Sequence, residues 1–312
     1  MVRCTKDQLE NVEIHYLTKS HFADLLNACP EIDKVHTLEN SLWETSKKLK
    51  AEKFDFIIDL HHNLRTSILL LFLQKPNFRF HKLNVQKWLL TQFKINRLPK
   101  NLHVVERYFG AVKKLGVQND NCNNAFFIPE HAATKAHSFL PNHPFIAFAI
   151  GAQFTTKRLP TEQLINLIQK LNLPIVLLGG KEDSNRGKEI TGALNSQNII
   201  DLCGKTTLFE SAYLVSKAKA LLTHDTGMMH IAACFDVPIL TIWGNTIKDF
   251  GMSAYRPESN DSLFHFEVEN LSCRPCSKIG SSQCPKKHFA CMKKQDLTKI
   301  AETTQKLIEV KN

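Results

Sequence analysis

The stretch from Leu221 to Thr246 constrains this chain more than any other; it reads LLTHDTGMMHIAACFDVPILTIWGNT. The apolar run Ala218 to Leu222 suits a buried strand. A polar turn, Thr223-His224-Asp225-Thr226-Gly227, leads into an apolar helix over Met228 to Phe235. Pro238 then opens a second buried strand, Ile239 to Trp243, which ends at Gly244. Strand, tight loop, helix and strand make a βαβ unit, with the loop at the carboxyl end of its first strand. Asp225 or Thr226 can cap the helix, and the first free amides of such a helix suit an anion. Gly227 lets a ligand approach the backbone. His230 follows one turn later, facing the same mouth.

The same alternation runs through the rest of the chain. In the first half, strands are expected at Val12 to Leu17, Lys34 to Leu38 and Phe54 to Leu60. Helices are expected at Arg3 to Glu10, His21 to Ala28, Leu42 to Ala51, Leu64 to Leu73, Gln86 to Phe93 and Leu102 to Leu115. In the second half, FIAFAI (145–150), PIVLL (174–178) and Asn198 to Leu202 read as buried strands, and Ser184 to Leu194 as a helix. Such alternation predicts a parallel sheet wound on both faces. With 312 residues, 43% of them hydrophobic, the chain suffices for two domains. The segment from Cys122 to His143 reads as the connection between them.

Several classes are excluded. No run of eighteen apolar residues predicts a transmembrane helix, and the start is too charged for a signal peptide. The glycine pattern G-x-G-x-x-G follows no strand, which counts against a nicotinamide or flavin enzyme. The loop Gly151-Ala152-Gln153-Phe154-Thr155-Thr156-Lys157-Arg158 lacks the second glycine of a Walker site. A net charge of +10 favours an anionic partner, but the charge is spread, and no interleaved aromatics mark a nucleic-acid binder.

The run D-T-G-x-x-H-x-A-A-x-x-x-x-P, followed by an apolar strand and W-G-N-T, resembles the signature of the family 9 glycosyltransferases, the heptosyltransferase family of lipopolysaccharide core synthesis. The loop G-A-x-x-x-x-K-R-x-P from Gly151 to Pro160 and the loop Cys203-Gly204-Lys205-Thr206-Thr207-Leu208 resemble the same family. The resemblance implies an α/β, GT-B enzyme: two Rossmann-like doubly wound domains facing across a cleft. Residues 1–130 would form the acceptor-side domain and 131–312 the nucleotide-sugar domain. The implied reaction is inverting transfer of a sugar, a heptose by family, from an ADP-sugar such as ADP-heptose to a lipopolysaccharide core acceptor. No cofactor and no catalytic metal are implied. The chain would act in the cytoplasm, with peripheral contact at the inner membrane and no nucleic-acid partner.

The resemblance assigns roles residue by residue. Lys157 would meet the donor diphosphate and stabilise the leaving group as negative charge grows there. Gly151, Thr155, Thr206, Asp225, Thr226, Gly227 and His230 would line the donor site, and Glu182 would hold the ribose. Thr207 reads as a helix cap, with Glu210 three residues on. Family members open with a strand and a Gly-Asp loop whose Asp is taken as the base, and this chain begins beyond that segment. The usual base therefore has no counterpart here, and Asp59 is the remaining catalytic candidate, able to hold a sugar hydroxyl beside Arg65, with Asp59 or Asn63 as a cap of the following helix the equal alternative. The competing readings are a catalytically inactive nucleotide-sugar-binding protein or a truncated fragment. A helix carrying His103 and Arg107 on one face reads as solvated surface. Cys273, Cys276, Cys284 and Cys291 admit a zinc site, with free thiols the alternative in a reducing compartment. An amphipathic helix is expected from Gln295 to Val310, with Leu297, Ile300, Leu307 and Ile308 on its apolar side.

Overall fold

The computed structural model describes residues 1–309. Val310, the expected end of the last helix, lies outside the described residues. The chain divides into two compact units. One holds residues Met1–Asn84 and Pro99–Cys122, and the other holds Val85–Leu98 and the chain from Asn123 onward. The segment 85–98, placed with the first domain by the sequence, thus packs with the second unit.

The first unit runs α1 (Val2–Gln8), β1 (His15–Thr18), α2 (Ala23–Asn27), β2 (Lys34–Thr37), α3 (Leu42–Ala51), β3 (Ile57–Asp59), α4 (Leu64–Leu73) and β4 (Asn77–Arg79). After α5 (Asn84–Phe93), which belongs almost wholly to the second unit, α6 (Val104–Val112) returns to the first. Its strands form two separate parallel pairs, β1 with β2 and β3 with β4. The expected strand at Phe54 to Leu60 shrinks to three residues, and β4 has no counterpart in the sequence reading. A small core gathers Cys4, Phe109, Val112 and Val117.

The second unit is built on one six-stranded sheet. Its chain order is α7 (Glu130–His137), β5 (Ile146–Ala149), α8 (Thr161–Leu171), β6 (Ile175–Leu178), α9 (Ser184–Leu194), β7 (Ile199–Asp201), α10 (Leu208–Lys217), β8 (Ala220–His224), α11 (Gly227–Ala232), β9 (Ile239–Trp243), β10 (Leu263–Glu267), α12 (Ala290–Lys293) and α13 (Leu297–Glu309). All strands are parallel, in the order β10-β9-β8-β5-β6-β7. Helices cover both faces, so the strands are mostly apolar and their residues alternate between two cores. Ile146, Phe148, Ile175, Leu177 and Leu222 point into a core shared with α8 and α13. Ala147, Ala149, Val176, Leu178 and Leu221 point the other way, against α7, α10 and α11. The apolar side of α13 is taken up in this way: Ile300 and Ala301 are buried, and Gln305 donates to the carbonyls of Lys170 and Leu171 at the end of α8.

The strand order fixes where a ligand belongs. From β5 the chain first builds outward through β6 and β7, then crosses back to lay β8 on the other side of β5. The loops after β5 and β8 therefore leave the sheet in opposite directions. The crevice they open at the carboxyl ends is the usual ligand position in a doubly wound sheet.

Candidate active site

The loop after β5 is held by backbone-directed contacts. Gly151 sits where a Cβ would come within 2.2 Å of Asp183 Oδ2. Asp183 is 2% exposed. Its Oδ2 accepts from Gly180 N–H at 3.0 Å and its Oδ1 from Arg158 at 3.4 Å. A tight turn over Thr155–Lys157 follows. The buried Thr156 hydroxyl donates to the Ser281 carbonyl (2.9 Å) and accepts from Ser281 N–H (2.8 Å). Leu159 N–H donates to His224 Nε2 at 3.1 Å, which places the ring proton on Nδ1. Complete burial, reinforced by the charges of Arg186 and Arg158, pushes the His224 pKa down to about 3.

The loop after β8 meets the loop after β5 at one ion pair. Lys157 Nζ lies 2.6 Å from Asp225 Oδ2, with both side chains about seven-eighths buried (14% and 13% exposed). Thr246, just beyond β9, donates its hydroxyl to the same oxygen at 2.7 Å. Neither Asp225 nor Thr226 caps α11 through its side chain, so the plain helix-cap reading of these residues does not hold. The Thr226 hydroxyl instead pairs with that of Thr223 at 3.3 Å. Nothing lies within 4 Å of a Cβ built on the exposed Gly227, so space is open above the backbone there. His230 is half-buried one turn further along α11.

The ends of β6 and β7 supply the remaining candidates. Glu182 is exposed, and its carboxylate folds so close to Gly180 that a Cβ there would fall 2.3 Å from Oε2. The Thr206 hydroxyl pairs with that of Ser211 at 2.8 Å. Thr207 caps α10 in a reciprocal capping box with Glu210, as its spacing predicts. Gly151, Thr155, Lys157, Asp225, Thr226 and Gly227 thus stand at the ends of the adjacent strands β5 and β8. Glu182 and Thr206 stand at the same edge, one and two strands along.

Several contributing residues were not anticipated. Thr246 and Asp183 orient Asp225 and the Gly151 turn, and both lie beside residues already singled out. Arg274, with a side chain only 7% exposed, donates to the carbonyls of Gly244, Thr246 and Val268 and pairs with Glu267 at 2.8 Å. It secures the segment that carries Thr246, and only the burial of a charge reveals it.

In the first unit the structure favours the helix-cap alternative, through Asn63, over a sugar-binding role for Asp59. Asp59 is 5% exposed. Its oxygens accept from the amides of His61 (3.0 Å) and His62 (2.7 Å) and from the Thr66 hydroxyl (2.9 Å), with Arg79 at 3.5 Å. This carboxylate shapes its own loop. Asn63 caps α4 through a capping box with Thr66, and Arg65 is exposed. His103 is the N-cap of α6, accepting from Val105 N–H, and does not lie within the helix. Arg107 is buried and donates to the carbonyls of His81 and Lys82, so the expected solvated face is a structural anchor.

None of the four tail cysteines forms a disulfide. Cys276 donates to the Cys273 carbonyl at 3.0 Å, and Cys273 lies 3.8 Å from His288 Nε2. Burial and the neighbouring thiols push the pKa of Cys291 up to about 12 and that of Cys276 up to about 11. Among the described residues, no helix is long and apolar enough to cross a membrane.

The model of glycosyltransferase family 9 (heptosyltransferase) matches residues 42–287. The chain belongs to glycosyltransferase family 9. A relative named lipopolysaccharide heptosyltransferase 2, from Salmonella typhimurium, is 35% identical over 120 residues, covering 36% of this chain and 34% of the relative. The matched part thus spans about a third of that relative's length. Lipooligosaccharide heptosyltransferase 2 of Haemophilus influenzae is 26% identical over 276 residues, or 78% of each chain. The structure of ADP-heptose lps heptosyltransferase II from E. coli superposes with a TM-score of 0.69 at 20% identity, over 97% of this chain and 94% of that one. At that identity the likeness speaks for the fold, an α/β fold with parallel sheets of the GT-B type.

Proposed function

We propose that this family 9 chain transfers a heptose, with inversion, from ADP-heptose to a lipopolysaccharide core acceptor. One observation carries the donor half: the Lys157 ammonium rests on Asp225 Oδ2 at 2.6 Å, where the loops after β5 and β8 diverge. A diphosphate entering that crevice offers Lys157 a doubly charged partner and frees Asp225 for sugar hydroxyls. As the glycosidic bond breaks, negative charge grows on the diphosphate, and a fixed ammonium beside open amides at Thr226 and Gly227 stabilises it without a metal. Glu182 can accept both ribose hydroxyls from the end of β6, as a carboxylate does in dinucleotide folds. Gly151, Thr155, Thr206 and His230 complete the lining. The acceptor hydroxyl attacks the face opposite the nucleotide after losing its proton to a carboxylate. The saturated contacts of Asp59 make it a poor base, so the base is not assigned to it. The net charge of +10 suits a phosphorylated acceptor presented at a membrane surface.

The test is calorimetric titration with ADP, UDP, GDP and CMP, followed by turnover with ADP-heptose. ADP should bind in preference to the others, and Glu182→Ala should weaken binding. Lys157→Ala should lower turnover about 10²- to 10³-fold, the usual loss for one leaving-group or oxyanion donor. A product whose new linkage keeps the donor's anomeric configuration refutes inversion. Equal affinity for all four nucleotides refutes the ADP assignment.

A further inference from the structure

Among the described residues one set of side chains is arranged to share a cation: His15, His36 and Glu52, whose ligand atoms all lie within 4.8 Å of one another. It belongs to the first unit and is independent of the donor site. In the parallel register His15 pairs with Lys34 and Leu17 with His36, so the two histidines are diagonal neighbours on one face of the β1–β2 pair. Glu52 closes the last turn of α3 and leans over the same spot. His15 Nδ1 is 3.0 Å from His36 Nε2. Glu52 Oε2 stands 3.8 Å from the first nitrogen and its Oε1 3.9 Å from the second. Tetrahedral zinc with bonds of about 2.0–2.1 Å separates its ligand atoms by roughly 3.3 Å, within several tenths of an ångström of these spacings.

The surroundings match the requirement. Glu13 Oε1 lies 2.7 Å from His15 Nε2 and accepts its N–H, which leaves the Nδ1 lone pair facing His36 and Glu52. A carboxylate on the far nitrogen of a ligating histidine is the usual outer support of a zinc site. The Phe54 ring stands edge-on to both imidazoles, at 86° to His15 and 89° to His36, and fixes their planes. The His15 and His36 side chains are 8% and 13% exposed, so both rings are held away from bulk water. The competing cation is Lys34, 2.6 Å from Glu52 Oε1; it is half exposed and leaves Oε2 available. Without a metal, one proton must bridge the two facing ring nitrogens.

We infer that His15 Nδ1, His36 Nε2 and Glu52 form a zinc-binding site, with water in the fourth position, that ties the β1–β2 pair to the end of α3. A two-stranded sheet is marginal alone, so a cross-link at this point has a structural purpose.

Cobalt(II) titration of the full chain, with zinc competition, tests this. The wild-type protein should show weak visible bands of nitrogen and oxygen coordination at one equivalent, displaced by zinc, and zinc should raise its melting temperature. His15→Gln and His36→Gln should each lose those bands, while Cys273→Ser/Cys276→Ser keeps them, which separates this site from the tail thiols. Glu13→Gln removes no metal ligand, only the carboxylate on the far nitrogen of His15, and should weaken zinc affinity about 10- to 100-fold with little change in the metal-free melting temperature. Bands absent from the wild type at millimolar cobalt, or surviving in both histidine variants, would overturn the assignment.

Discussion

Gly151→Ala isolates the contact that shapes the turn after β5. Gly151 does not have a positive φ, so alanine can adopt its backbone and the substitution reads space alone. The new Cβ would lie 2.2 Å from Asp183 Oδ2 and 3.1 Å from its Cγ. Asp183 is a short side chain, 2% exposed, so it cannot give way without surrendering its bonds to Gly180 and Arg158. Hydrogen bonds to charged groups contribute about 1.5–3 kcal/mol each, and overpacking costs about 1–3 kcal/mol. Partial relief of one by the other gives an expected loss of about 2–4 kcal/mol. In an Asp183→Ala background the obstructing oxygen is gone, and Gly151→Ala should cost less than about 1 kcal/mol, a coupling of about 2 kcal/mol. Urea unfolding followed through the buried Trp243, with the exposed Trp43 and Trp88 replaced by phenylalanine, reports on the second unit. A loss below about 1 kcal/mol in the wild-type background, or equal losses in both backgrounds, refutes the steric account.

His224 takes up a proton near 6.5 when unfolded but only near 3 when folded. Between those values the unfolded chain binds more protons, so stability is fully present above pH 6.5 and is lost as pH falls toward 3. The difference in slope between wild type and His224→Gln should reach at most about 1.4 kcal/mol per pH unit, and identical pH profiles would rule this out. Arg274→Ala leaves three carbonyls and Glu267 without their guanidinium and should destabilise the second unit by about 3–5 kcal/mol. Arg274→Lys should recover less than half of that, because one ammonium cannot reproduce the planar fork; full recovery by lysine in urea unfolding would contradict it.

The sequence reading was surest where burial on both faces leaves an unbroken apolar run. Strand β9 and helices α3, α4 and α9 match their expected limits, and β5, β6, β7 and β8 lie within two residues of theirs. Elements held by small or polar residues were not legible. Helix α7 was read as a connection because it buries only Ala132 and Ala136, which leave little hydropathy signal. Strand β4 is three residues long and has one half-buried side chain between two exposed ones. His103 is an uncommon cap, and Arg107 reads as surface because its charge gives no hint of the two backbone carbonyls that accept from it. In the site, the Lys157 and Asp225 loops were each visible, but their meeting depends on β8 crossing back beside β5, which no local pattern encodes. Thr246 and Arg274 become visible only through that geometry.

The Thr156–Ser281 bonds bear on how family 9 chains can be recombined. The turn that presents Lys157 is clasped by a segment 125 positions downstream through a three-way exchange of amide, hydroxyl and carbonyl. The same tail fills the space behind Gly244, where a Cβ would strike Thr156 O and Met292. A chimera that imports the Gly151–Pro160 loop from a relative would inherit only half of a mated pair. Grafts of this loop should therefore carry the 277–292 segment along with it, as one cassette split in sequence but joined in space.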